Sequence, residues 1–176
     1  MGPFAVLRRR SPLSTSAAQY GGRSLLRPTV TAIEERARML TGSCACGRVA
    51  YEIHGQLFGP INYCHCWRCR KQSGSSFGTS ASVHASQFSV VSGQDLMSRW
   101  LSSPGIHRYF ASCCGSPIYK FDNNAPEELR LRLGTLDTDP DVRVELHYMV
   151  TSKAPWVSIE GNLPQEACGP PFGTRD

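Results

Sequence analysis

The sequence contains no apolar run approaching the ~20 residues that a bilayer-crossing helix needs, so no membrane partner is expected. It carries no secretory signal, no internal repeat and no heptad pattern, which leaves out solenoids and coiled coils. It offers no Ser-His-Asp set and no phosphate-cradling glycine loop. Helical periodicity is scarce: Ala32 to Leu40 has some, and Asp95 to Leu101 less. Acidic residues are missing before Glu34, and this absence accounts for the net charge of +5. Arg8, Arg9, Arg10, Arg23, Arg27, Arg36 and Arg38 stand against Glu34 and Glu35, while beyond residue 38 acids and bases balance.

The basic excess therefore belongs to a leader, residues 1–38, and not to the body of the chain. Its Ser- and Arg-rich, acid-poor composition reads as a disordered arm, a mitochondrial transit peptide or a start placed upstream of Met39. Without interleaved aromatics or a recognition motif it does not read as a nucleic-acid interface. The expected compartment is cytoplasmic, or mitochondrial if residues 1–38 act as a transit peptide. Residues 39–166 form the patterned body, long enough for one domain with an ordinary core. Residues 167–176 are a Pro/Gly-rich tail, and its Cys168 reads as a free thiol without a role.

What is plentiful is cysteine, eight in 176 residues. With no secretory signal, metal is a better reading than disulfides. Three thiols fall within six residues in Cys64-His65-Cys66-Trp67-Arg68-Cys69. Cysteines two apart on an extended strand point to one side, and a turn can bring the third to the same point. Thiolates suit zinc, and a segment that supplies three leaves the fourth tetrahedral position to another residue or open to water or substrate. Cys44-Ala45-Cys46 and Cys113-Cys114 are poorly placed to pair with themselves as disulfides.

The remaining pattern is that of short strands. Arg48 to His54 alternates Val49, Tyr51 and Ile53 against polar neighbours. Gly55 to Pro60 reads as a connection and residues 73–80 as a loop. Strands are expected over Ala81 to Val91, Ile106 to Phe110 and Ile118 to Phe121. Leu129 to Leu133 alternates leucine and arginine, with leucines inward. Val142 to Val150 and Trp156 to Glu160 also have strand character. The class is mainly β, antiparallel, with many short strands pinned by metal.

The runs GSCACGRVAYEIHG, CHCWRCRKQSGSSF, SSPGIHRYFASCCGSPIY and GTLDTDP, followed by His147, KAPW and LP, resemble the glutathione-dependent formaldehyde-activating (GFA) family, which also includes centromere protein V. The resemblance covers residues 40–166. It implies a zinc-stabilised β-tent fold with two Zn2+ per chain, one catalytic on Cys64, Cys66 and Cys69, and one structural on ligands that include Cys44, Cys46 and Cys114. The first cysteine of the family's late pair falls here on Ala111, and Cys113 stands where the family varies. The structural site is then three thiolates completed by water or His107, or Cys113 moves in.

The resemblance also implies carbon–sulfur lyase activity between a small thiol such as glutathione and an aldehyde such as formaldehyde. Charge counting agrees: zinc with three thiolates carries net charge −1, a weak Lewis acid but a good exchanger of thiolates. Arg68, Arg70 and Lys71 could offset that charge and hold a carboxylate, and amides near Ser73 and Gly74 could donate to the thiolates. His65 should point away from the metal. An alternating strand explains His147 without catalysis, and Lys153 shares the family pattern. Trp156 is expected in the core, and Asp137 and Asp139 are expected to cap a turn. The rival reading is a non-catalytic zinc module, and a closed central site would favour it.

Overall fold

The computed structural model describes residues 39–167. The leader with its expected helix from Ala32, and the tail with Cys168, lie outside the described residues. Among the described residues the chain runs β1 (Leu40–Ser43), β2 (Ala50–Ile53), β3 (Phe58–Cys64), α1 (Trp67–Ser73), β4 (Gly78–His84), β5 (Phe88–Ser92) and β6 (Met97–Ser103). It continues through β7 (Ile106–Ala111), β8 (Pro117–Asp122), β9 (Glu128–Arg132), β10 (Leu146–Tyr148) and β11 (Gln165–Glu166). The protein is mainly β, as its alternation implied. Asp95 to Leu101 is not helical beyond a 3₁₀ turn at Gln94–Leu96, and Leu40, the end of the other expected helix, opens a strand.

Two sheets form. A three-stranded sheet has the order β1-β2-β5, and an eight-stranded sheet the order β11-β10-β3-β4-β9-β8-β7-β6. All pairings are antiparallel except β10 with β3 and with β11, which are parallel. The core joins the two sheets: Cys44, Val49, Tyr51 and Ile53 pack with Val83, Ala111, Ile118 and Leu131. Burial of this apolar surface is the main stabilising term.

The second face of the eight-stranded sheet positions the site. Period-2 alternation puts Leu129 and Leu131 toward the core and Arg130 and Arg132 opposite. Across the strands Ser82 faces Arg130, Arg130 faces Lys120, and Lys120 faces Arg108. Three cations therefore stand side by side on β9, β8 and β7. Like charges directly opposed across a sheet are destabilising, so the row is a cost to the fold.

Several expected boundaries move. Residues 55–60 are only partly a connection, because β3 begins at Phe58 and accommodates Gly59 at φ 64°. The loop expected over 73–80 ends where β4 begins at Gly78. Of Val142 to Val150, only Leu146–Tyr148 finds a partner strand. Trp156 to Glu160 forms no strand, and Trp156 is 76% exposed rather than in the core, its ring facing the Arg70 guanidinium at 6.0 Å.

Candidate metal centre

Seven described cysteines are free thiols and gather into two groups. In the first, the sulfurs of Cys44, Cys46, Cys113 and Cys114 all lie within 4.8 Å of one another. The turn after β1 holds its half of the group: Gly47, at φ 73°, donates its N–H to the Cys44 carbonyl at 2.8 Å, and Val49 N donates to Cys44 Sγ at 3.3 Å. The turn after β7 holds the other half, with Cys114 N and Gly115 N donating to the Ala111 carbonyl at 3.3 and 2.7 Å. Ala111 is buried in the core, and Cys113 supplies the sulfur, 3.8 Å from Cys44 and 3.4 Å from Cys46. Of the alternatives left open by the sequence, it is the Cys113 sulfur that lies with the other three. His107 is not part of the group; it faces Phe121 within the sheet. The Ser116 hydroxyl beside Cys114 holds that thiol down at about 6.

The second group is Cys64, Cys66 and Cys69, again with all sulfurs within 4.8 Å. The arrangement is not an extended pair plus a turn. Cys64 ends β3, Cys66 is the N-cap of α1, and Cys69 lies in the helix, its N–H donating to Cys66 Sγ at 3.4 Å. That cap satisfies one of the orphan donors of the first turn. Gly74 closes the helix in the left-handed conformation, φ 62°. Ser73 and Gly74 lie at this far end, where the Ser73 hydroxyl donates to the Cys69 carbonyl at 2.8 Å, so the amide on a thiol is that of Cys69.

A cavity of about 200 Å³ opens on the three thiols. Its lining brings together Arg68 from α1, Arg108, Lys120, Arg130 and Arg132 from the second face of the sheet, and one acid, Asp122. Asn62, Ser80, Ser103, Ile106, Tyr148 and Met149 complete the wall. Met149 is 1% exposed and packs on Cys66 and Cys69. It is also the one non-glycine among the described residues with positive φ, 61°, the kind of backbone strain that concentrates at functional sites.

Electrostatics follow from the neighbours. Hydrogen bonds from Cys64 and Cys66, then Arg132 and Arg108, hold the Cys69 thiol well below its ordinary range. Hydrogen bonding with Cys66 and Cys69, and then burial, pushes the Cys64 thiol up. Burial depresses Lys120 and Arg130.

Of the bases singled out in the sequence, Arg68 reaches the cavity. Arg70 and Lys71 instead line a separate surface groove with Trp67 and Trp156. His65 points away from the thiols and is fully buried, its Nε2 2.9 Å from His147 Nδ1, with Phe77 and Tyr63 packed on the two rings. His147 thus has a structural partner, and Tyr148 takes the cavity side of β10. Lys153 donates to the carbonyls of Ala154 and Val157, and Asp137 accepts from the Ser43 hydroxyl at 3.0 Å. Arg108, Lys120, Arg130 and Arg132 were not singled out. For Arg130 and Arg132 the signal was the unbroken Leu-Arg alternation on β9, which put both arginines on the face opposite the leucines.

The donor sets fit zinc. Sulfurs around a tetrahedral zinc with ~2.3 Å bonds stand about 3.8 Å apart, close to the 3.5 Å of Cys44 to Cys46 and the 3.8 Å of Cys44 to Cys113. Thiolates select soft or borderline ions. The first group could supply all four donors and the second three, with its remaining side facing the cavity.

A family model described as "Glutathione-dependent formaldehyde-activating enzyme" matches residues 39–152. A Halomonas elongata protein named "Putative glutathione-dependent formaldehyde-activating enzyme" is 31% identical over 139 residues, 74% of this chain and 86% of that protein. A crystal structure of a Rhodobacter sphaeroides protein aligns with a TM-score of 0.49 at 22% identity, over 57% of this chain and 91% of the other. The family match spans most of the chain and takes in all seven described cysteines, and with it the chain belongs to the glutathione-dependent formaldehyde-activating enzyme family.

Proposed function

We propose that the protein forms or cleaves the carbon–sulfur bond between a small anionic thiol of the glutathione kind and a small aldehyde of the formaldehyde kind, with Cys64, Cys66 and Cys69 holding a catalytic zinc and Cys44, Cys46, Cys113 and Cys114 a structural one. One observation carries this reading: a single cavity has three thiols on one wall and a row of cations on another. Cys64, Cys66 and Cys69 would hold a zinc ion, and the chemistry it would supply is a soft site that favours the ionised form of the substrate's thiol.

The rest is the work of this chain's side chains. Arg130 and Lys120 stand on adjacent strands, about 5 Å apart at the usual interstrand spacing. Carboxylates of a thiol substrate would relieve the repulsion within that row through charge-assisted hydrogen bonds. Asp122 offers an acceptor for an ammonium group. Met149, Ile106 and Tyr148 exclude water from the apolar side, where an unhydrated aldehyde would sit. In the addition, the C–S bond forms as the carbonyl π bond breaks, and the thiol proton ends on the carbonyl oxygen; cleavage is the reverse.

Among the described residues no fourth His, Cys, Asp or Glu joins the central group. This favours the enzyme over the closed structural module. The test is proton and carbon NMR of glutathione with labelled formaldehyde, with and without the purified chain. Acceleration of the S-hydroxymethyl adduct that is lost in Cys66→Ser supports the proposal. An unaccelerated rate across a panel of thiols and aldehydes, with zinc bound, refutes it.

A further inference from the structure

Arg108 and Arg132 are 5% and 6% exposed, and among the described residues neither has a carboxylate partner. A guanidinium buried without an anion is costly. Their donors converge on a metal-site sulfur instead. Arg132 Nη2 donates to Cys69 Sγ at 3.5 Å, and Arg108 Nη1 and Nη2 approach the same sulfur at 3.8 and 3.9 Å. Gln72 Oε1 accepts from both, at 2.8 Å each, so one amide oxygen ties the two guanidiniums together. Ser80 Oγ takes the remaining Arg132 amine at 2.9 Å.

The backbone is shaped to admit this pair. A Cβ at Gly78 would lie 2.5 Å from Arg132 Nη1, so a larger residue there would push the guanidinium out of its present place. Arg108 Nε, buried and without a partner, adds an unsatisfied donor at the same place.

The charge count gives the pair a purpose. Zinc with three thiolates carries −1, and a fourth thiolate would take it to −2 in a partly buried site. Two guanidiniums against one of those sulfurs bring the count to +1 before the incoming thiolate and to zero after it. We propose that Arg108 and Arg132, joined by Gln72, are positioning residues acting through Cys69: their charge makes the three-thiolate centre accept a further anionic sulfur in preference to a neutral donor. The proposal rests on the reading above that a thiol is the substrate.

The experiment is calorimetric titration of the zinc-loaded chain, with metal content measured alongside and a phosphine as reductant. The probes are 2-mercaptoethanol, a thiol without a carboxylate that gives an anionic sulfur donor on losing its proton, and imidazole, a neutral donor. Arg108→Gln and Arg132→Gln should keep both zincs, weaken 2-mercaptoethanol at least about tenfold, and leave imidazole within about threefold. Arg108→Lys and Arg132→Lys, which keep the charge, should hold the thiol within about threefold.

Equal weakening of both probes, unchanged thiol affinity, or loss of the central zinc from a folded glutamine variant would each overturn the proposal. So would a glutathione affinity that falls while that of 2-mercaptoethanol holds, because the arginines would then be carboxylate-docking groups. If a glutamine variant does not fold, the lysine variant at that position decides: thiol affinity retained supports the charge argument, and selective thiol loss overturns it. A wild-type chain that binds neither glutathione nor 2-mercaptoethanol refutes the proposed function itself, a result distinct from normal wild-type binding with indifferent variants.

Discussion

Replacing Lys120 by methionine should make the protein more stable and a poorer binder of its substrate. Lys120 on β8 faces Arg108 on one side and Arg130 on the other. Opposed cross-strand charges interact by ~0.2–1 kcal/mol each, so removing two repulsions, less the lost attraction to Asp122, gives a net stabilisation of about 1 kcal/mol. Methionine keeps the apolar stem and ends the cost of a half-buried ammonium. For a domain of this size about 1 kcal/mol is about 3 °C in Tm. The same change removes one charge-assisted hydrogen bond to an anionic thiol, worth ~1.5–3 kcal/mol, or roughly tenfold to a hundredfold in affinity.

The pH dependence carries a sign that can be checked. Burial depresses the Lys120 pKa, so the folded state holds that proton less tightly than the unfolded chain. Wild-type stability should therefore gain as pH rises from the depressed value toward the ordinary lysine value of ~10.4, and Lys120→Met should lack that gain. Thermal melts from pH 7 to 10 under reductant, paired with glutathione titration, read both effects. A Tm that drops several degrees in Lys120→Met, or an unchanged glutathione affinity, would refute the idea that the cation row is held at a cost for an anionic ligand.

Other perturbations separate the parts of the site. Cys66→Ser should lose one zinc and the activity while circular dichroism stays native, whereas Cys46→Ser should unfold the chain, because a structural zinc supplies folding free energy directly; the reverse pattern would exchange the two assignments. Gly78→Ala should destabilise by ~1–3 kcal/mol in chemical denaturation, since its Cβ would displace the buried, hydrogen-bonded Arg132 guanidinium. Met149→Ala should cost ~2–4 kcal/mol in the same assay, because the side chain is buried against Cys66 and Cys69. A strong zinc chelator should lower the Tm of the wild-type chain by many degrees and release two zincs; release without a Tm change would refute a structural role for the first group.

Much of the fold was legible because alternation is local. Val49, Tyr51 and Ile53, or Leu129 and Leu131, declare their face without reference to any partner. What covers the opposite face is not local. The alternation says nothing of what faces Arg130 and Arg132, which line a cavity together with Arg68 and Cys69 of α1 and Tyr148 of β10. The helix was missed because seven residues are too few for a period, and its cap is a cysteine rather than one of the usual Ser, Thr, Asp or Asn caps. Val142 and Val144 alternate like a strand but pair with no strand among the described residues, and only Leu146–Tyr148 finds β3. Trp156 misled by composition alone: a large aromatic is usually buried, and this one lies on the surface over Arg70. The cysteine groups were legible because spacing restricts which thiols can meet, yet the place of Cys113 beside the other three needed the turn that Ala111 and Gly115 build.

The most direct test of the central claim is native mass spectrometry of the purified chain before and after glutathione is added. The account predicts two zincs per chain and a glutathione adduct that disappears in Cys66→Ser while the other zinc stays. Two zincs with no adduct from glutathione or any other small thiol would contradict it, leaving two cysteine groups that hold the fold and a cationic cavity with another purpose.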